Sequence, residues 1–244
     1  MSGWSSTWQV ATVDVPLAGK NHDAWQVSNA AACVVDGATP LGAEWPQDLK
    51  AFAQAIAASL SQASATRGDS DVWRESIRSL RNQFEPAGYR RSAGAALVRM
   101  RGDQLVFSTL GDVMCLVQTT DTTVRVFDDR LVALDRQSGE LGTRAALVKN
   151  RARLNQPGGY PIFADDPAAG DAITSLSVAE PSVRAFALLS DGAWRHLDEN
   201  PAAALNDLCA TSLPEAFHGE VERSGEPLAD DATIVLFTRL SIDE

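Results

Sequence analysis

Four acidic residues of this chain stand where short apolar runs begin or end. Asp36 follows AACVV, Asp112 follows VFSTLG, Asp191 follows AFALLS, and Asp230 precedes ATIVLF. A fifth, Asp23, lies in GKNHDAW between two expected strands. Strand ends are rigid and can converge, and carboxylates gathered there repel one another unless a cation neutralises them. Hard divalent cations take oxygen ligands, and Mg²⁺ uses few carboxylates while keeping several waters. Two such ions a few ångströms apart can share a hydroxide and clamp a phosphoryl group for in-line attack. Asp-Gly is also the standard turn dipeptide, so Asp36-Gly37 or Asp191-Gly192 taken singly reads as a turn. The chemistry rests on all five appearing together and in order.

The background suits that chemistry and excludes others. The chain has 244 residues, 45% of them hydrophobic, enough for one substantial core. There are 21 basic and 32 acidic residues, a net charge of −11, and no Lys/Arg-rich run. A nucleic-acid footprint is therefore not expected, nor binding to an anionic membrane surface. Cys33, Cys115 and Cys209 are odd in number and far apart, which excludes a CxxC zinc or redox motif and fits reduced thiols in a cytoplasmic protein. The opening residues lack a basic and apolar leader, and no apolar run approaches a membrane span. No nucleotide P-loop spelling occurs, and Asp69-Ser70-Asp71 follows a polar loop where a dehalogenase-type phosphatase needs an apolar strand.

The elements that must position the aspartates follow from periodicity. Trp8 to Val15 and Ala30 to Val35 read as strands. Gln47 to Ala63, with Leu49, Phe52, Ala53, Ile56 and Leu60 at helical spacing, reads as a helix. Trp73, Ile77, Leu80 and Phe84 mark a second, capped by Asp69, Ser70 or Asp71. Ala95 to Met100 and Leu105 to Leu110 flank Gly102-Asp103, a hairpin signal, and Val113 to Gln118 and Thr123 to Phe127 continue the meander. Leu131 to Pro167 reads as short helices and then an irregular loop. Strands are expected at Ala172 to Leu176, Arg184 to Leu189 and Thr233 to Leu240, and helices at Pro201 to Ala210 and Leu213 to Glu222. No linker or repeat interrupts the chain, so a single α+β domain over residues 1–244 is expected.

The ordered motifs resemble the metal-dependent serine/threonine phosphatases of type 2C over nearly the whole chain. GKNHDAW is similar to that family's first motif, VVDGATP to its second, and STLGDVMCLV to its Gly-Asp strand. LLSDGAW resembles its Ser-Asp-Gly motif, and ADDATIVLF its closing acidic doublet before a strand. The resemblance implies an α-β-β-α sandwich of two antiparallel sheets flanked by helices. It implies two divalent ions, Mn²⁺ or Mg²⁺, and a hydroxide between them that attacks phosphorus directly. Asp36 would bridge both ions and the Gly37 carbonyl would bind one. Asp191 and Asp230 would complete the other, and Asp23 would act through metal-bound water. Asp112, with Asp191, would form a third, weaker metal site. Asp36 and Asp191 carry the catalytic assignment. The implied partner is a phosphoprotein, the product of a serine/threonine kinase in bacterial signalling.

The chain departs from that pattern around the phosphate. His22 stands where the family has Glu; an imidazole suits Mn²⁺ as a ligand or could donate a proton to the leaving group, or is simply a loop residue. Position 18 is Ala where the family has a phosphate-gripping Arg. Lys20, which lacks the bidentate fork of arginine, or a distant Arg would have to substitute. Asn155 to Pro161, with Gly158 and Gly159, falls where the family carries a variable flap, and reads as a mobile loop or an ordinary turn. The competing reading is a phosphatase-like regulatory module that binds metal with little catalysis.

Overall fold

The computed structural model describes residues 4–17, 21–38, 48–66, 68–81, 91–138 and 144–240. Ten strands and seven α-helices are named in these residues. In chain order they are β1 (Trp8–Val15), β2 (Ala24–Val27), β3 (Ala31–Gly37), α1 (Leu49–Ser64), α2 (Asp69–Arg81), β4 (Ala93–Arg101), β5 (Gln104–Leu110), β6 (Met114–Thr119), β7 (Thr123–Phe127), α3 (Arg130–Ser138), α4 (Arg144–Arg151), β8 (Thr174–Ala179), β9 (Val183–Leu189), α5 (Asp191–Trp194), α6 (Pro201–Ala210), α7 (Leu213–Ser224) and β10 (Ala232–Arg239). One sheet runs β1-β10-β9-β6-β7 and the other β2-β3-β4-β5-β8. Every pairing is antiparallel. The expected α-β-β-α sandwich is the fold observed.

Most strands are apolar on both faces because both faces are covered. In β3, Ala32 and Val34 point into the space between the sheets, while Ala31, Cys33 and Val35 lie under α1 and α2. In β10, Val235 and Phe237 point inward, and Ala232, Ile234 and Leu236 pack with α6 and α7. The period of two persists with both phases apolar, so the strands read as runs instead of alternations. The inter-sheet layer is built on aromatics: Phe186 stacks on Phe237 at 4.4 Å and meets Phe107 edge-on at 5.2 Å. Trp4 and Trp8 close the same cluster. At the edge strand β8, alternation returns.

Differences from the expected elements have local causes. The four-residue β2 was not expected; its Trp25 is exposed and it carries little apolar signal. β8 begins at Thr174 because Pro167–Asp171 forms a 3₁₀ turn. Asp166 caps that turn, its carboxylate accepting from Ala168 N–H at 2.9 Å, and Pro167 opens it. Phe84 of the second expected helix lies outside the described residues; α2 is described to Arg81. The 155–161 segment is a pinned turn. The Asn155 side chain accepts from Ile162 N–H at 2.8 Å and donates to the Ile162 carbonyl at 3.2 Å. Gly158 has φ +72°, and a Cβ at Gly159 would overlap the Arg153 carbonyl. The glycine pair therefore serves turn geometry.

Candidate metal centre

Antiparallel pairing brings the ends of many strands to one edge of the sandwich. Ala24 pairs with Val35, so the next residues outward, Asp23 and Asp36, face each other across β2 and β3. Asp36 pairs with Gly94 at the start of β4. Ala95 pairs with Leu110, which sets the β5–β6 turn and Asp112 beside them. In the other sheet, Met114 and Ile234 both pair with Leu189, so Asp191 leaves β9 next to Asp230 and Asp231, which enter β10.

Each aspartate is held by backbone that fits closely. A Cβ at Gly37 would lie 2.5 Å from the His22 carbonyl oxygen, so only glycine lets the 21–23 segment lie over the end of β3. This accounts for the Asp36-Gly37 spelling independently of any ligand role. Gly111, at φ +86°, turns the chain into Asp112, and a Cβ there would come within 2.9 Å of Gly94 Cα. Trp194 donates from Nε1 to the Asp112 carbonyl at 2.6 Å and packs edge-on against Phe127 at 5.1 Å. The Asp191 N–H, first in α5 and without an intrahelical partner, donates to Asp36 Oδ2 at 2.8 Å. That bond ties one sheet to the other across the site.

Asp231 organises the first-motif segment. Its Oδ1 accepts from Leu17 N–H at 2.6 Å and its Oδ2 from His22 N–H at 2.7 Å. The His22 ring lies against the same carboxylate, Nδ1 to Oδ2 at 3.3 Å. The Asp231 backbone N–H donates to Asp230 Oδ1 at 2.9 Å. Asp23 N–H donates to the Asn21 side chain at 2.7 Å, and Lys50 Nζ donates to the Asp23 carbonyl. Lys20 lies outside the described residues, as do Ala18 and the Thr39-Pro40 end of the second motif.

The electrostatics are those of crowded, buried carboxylates. Burial is the largest cause in each case. Asp36 is held well above the usual carboxylate range by burial, then by Asp191, Asp23, Asp112 and Asp230. Asp23 is likewise raised by burial, which hydrogen bonds from Ser190 and Thr233 only partly offset. Asp191 is pushed up to about 7 by burial and by Asp112, against the opposing charge of Arg195. Asp112 is raised by burial and lowered by Arg195. Asp23 and Asp191 are 2% and 8% exposed, yet Asp23 Oδ2 and Asp191 Oδ1 have no hydrogen-bond partner. A buried orphan oxygen on a carboxylate is costly, and a divalent cation supplies what it lacks. Among the described residues, no three acidic, histidine or cysteine side chains already converge as a full ligand set. The donor set nonetheless fits hard divalent metal.

Two residues of the site escape the strand-end pattern. Asp231 is legible in the sequence only as the second member of the acidic doublet with Asp230. Arg195 pairs through Nη2 with Asp191 Oδ2 at 2.8 Å, four positions on. Only the i,i+4 spacing on a helix could have found it, and a four-residue helix was not legible. His196 and His218 pair with Ser224 at 3.0 Å and Glu222 at 3.1 Å respectively.

The fold is that of the type 2C serine/threonine phosphatases. The Mycobacterium tuberculosis serine/threonine phosphatase PstP/Ppp superposes with a TM-score of 0.66 at 15% identity, over 95% of this chain and 98% of that one. The catalytic domain of PstP in complex with two manganese ions gives 0.63 at 16%, over 96% and 99%. The Staphylococcus aureus phosphatase Stp1 gives 0.63 at 12%, over 96% and 95%. No protein-family description matches the chain, and no curated protein sequence does.

Proposed function

We propose that the protein is a metal-dependent phosphomonoester hydrolase that dephosphorylates phosphoserine and phosphothreonine in proteins. The observation that supports this best is the meeting of Asp23, Asp36, Asp112, Asp191 and Asp230 at one edge of both sheets, with one buried oxygen of Asp23 and one of Asp191 unpaired. The fold shared with phosphatases, one of them solved with two manganese ions, supports the same reading.

In this reading Asp36, the Gly37 carbonyl, Asp191 and Asp230 would hold a pair of divalent ions, and Asp23 would act through water. Mn²⁺ is the first choice of ion and Mg²⁺ the second. Bound there, such a pair lowers the pKa of water to make a nucleophile and neutralises phosphoryl charge. The chain's own residues set the geometry. The Asp191 N–H orients the Asp36 carboxylate. Asp231 holds the backbone N–H groups of Leu17 and His22 and carries the His22 ring. His22 is assigned either proton donation to the leaving oxygen or a ligand position, and Lys20 or an arginine the phosphate grip. We place the protein, as one catalytic domain, in the cytoplasm opposite a serine/threonine kinase. Buried Cys33 and Cys115 support a reduced compartment, and no helix among the described residues is long and apolar enough to cross a membrane.

The test is hydrolysis of an aryl phosphate with added Mn²⁺, then a phosphopeptide panel against small phosphorylated metabolites. Turnover that needs metal and favours phosphopeptides is expected. Bound Mn²⁺ without turnover would instead make the protein a metal-binding regulatory module, and preference for metabolites would overturn the protein substrate.

A further inference from the structure

We infer that Arg195 is a tethered cation that holds the outer position of the acidic cluster, between Asp112 and Asp191, so that the centre takes two divalent ions and excludes a third. The inference rests on the metal-dependent reading above and concerns how many ions the cluster admits.

The cluster has two halves of different character. In the inner half, Asp23 and Asp36 are buried, and no basic side chain is among the main influences on either. Their relief must come from outside the chain. In the outer half, Arg195 pairs with Asp191 at 2.8 Å, and it is the charge that most lowers Asp112. The charges acting on the guanidinium rank Asp191, Asp112, Asp36, Asp230. Arg151 also acts on Asp112, more weakly.

Geometry keeps Arg195 there. It sits at the end of α5, four residues after Asp191, the spacing that stacks two side chains on a helix face. Trp194 beside it is anchored to the Asp112 carbonyl, and the guanidinium lies 5.5 Å from the Trp194 ring centroid. The side chain is 51% exposed, so it leaves the rim open to substrate and solvent. One oxygen of Asp191 faces this cation, while the other, Oδ1, is buried and unpaired. Asp191 can thus serve an ion of the inner pair through Oδ1 while Oδ2 stays with Arg195. A further divalent ion bridging Asp112 and Asp191 would have to displace a cation that is covalently attached and already in place.

The test counts ions. Manganese bound at saturation is measured by equilibrium dialysis and native mass spectrometry on the full chain, for wild type, Arg195→Ala, Arg195→Lys and the double variant Arg195→Ala/Asp112→Asn. Circular dichroism of each metal-free protein confirms folding. Two ions are expected in wild type, three in Arg195→Ala, and two again in Arg195→Lys and in the double variant. Three ions in wild type, or two in Arg195→Ala, would overturn the inference while leaving the two-metal reading standing. No bound manganese in wild type would overturn both.

Discussion

Asp36 is buried and repelled by four other carboxylates, so in the proposed site its charge would be tolerated only with a cation bound. Asp36→Asn keeps an oxygen to accept the Asp191 N–H and removes that repulsion. Thermal unfolding in EDTA should show it more stable than wild type, while Mn²⁺-dependent turnover falls by about 100-fold or more. Asp191→Asn should lose turnover similarly but gain less stability, because it also gives up the Arg195 pair. Near-normal turnover in both would remove them from the site. Acidity acts on the same groups. Asp191 titrates near 7 when folded, above its ordinary value of 3.8. The folded, metal-free protein therefore binds more protons than the unfolded chain between about pH 4 and 7, so its stability falls as pH rises through that window. Metal must find the carboxylates ionised, so Mn²⁺ affinity should rise over the same interval. Melting curves from pH 5 to 8 with EDTA and with Mn²⁺ should slope in opposite directions. At Mn²⁺ concentrations about 100 times Kd the gain is about 2.7 kcal/mol, and EDTA should abolish it.

The elements make the residues' positions specific, and glycines show how tightly. Gly102 and Gly111 both have positive φ, +62° and +86°, but Gly102 faces open space and Gly111 lies against Gly94. Gly102→Ala should cost about 1 kcal/mol of backbone strain and leave Mn²⁺ binding unchanged. Gly111→Ala should cost roughly 1–3 kcal/mol more from overpacking and weaken binding, because it moves the turn that carries Asp112. Isothermal titration of both variants with Mn²⁺ checks this; equal behaviour would break the link between the turn and the site. The same elements explain what could be read from the sequence. Asp36 and Asp191 were visible because each closes a run of apolar residues that becomes a buried strand, β3 or β9. The helices α1, α2, α6 and α7 were visible through spacing. β2 and α5, four residues each, are too short to hold a period. With α5 unseen, Arg195 had no frame that set it beside Asp191, and the role of Gly94 exists only once β4 lies against the β5–β6 turn.

At the scale of the whole molecule, the two sheets share a layer of rings, and Phe186 is its hub, touching Trp4, Trp8, Phe107 and Phe237. Phe186→Ala should cost about 3–5 kcal/mol, read by urea denaturation with the slope unchanged. Because the strand that carries Phe186 leads into Asp191, the variant's Mn²⁺ affinity should fall too; an unchanged affinity would show that the site tolerates loosening of the layer beneath it. The sandwich was legible because strands apolar in both phases demand cover on both faces. The assignment of strands to sheets was not, since it depends on pairings such as β5 with β8 that no local pattern announces. The net charge of −11 would favour the approach of divalent cations to the proposed site.

The strand β1 has one neighbour in its sheet, and that neighbour is β10. Leu17 and Asp231, bonded in the finished site, are 214 residues apart, and Asp36 and Asp191 are 155 apart. At synthesis rates of about 5–20 residues per second, β1 waits roughly 10 to 40 seconds for its partner to emerge from the ribosome. During that time its edge is unpaired and open to wrong partners. The proposed metal centre therefore cannot form before β10 has emerged, and a nascent chain that has not reached Asp191 carries Asp23, Asp36 and Asp112 with no means of completing it.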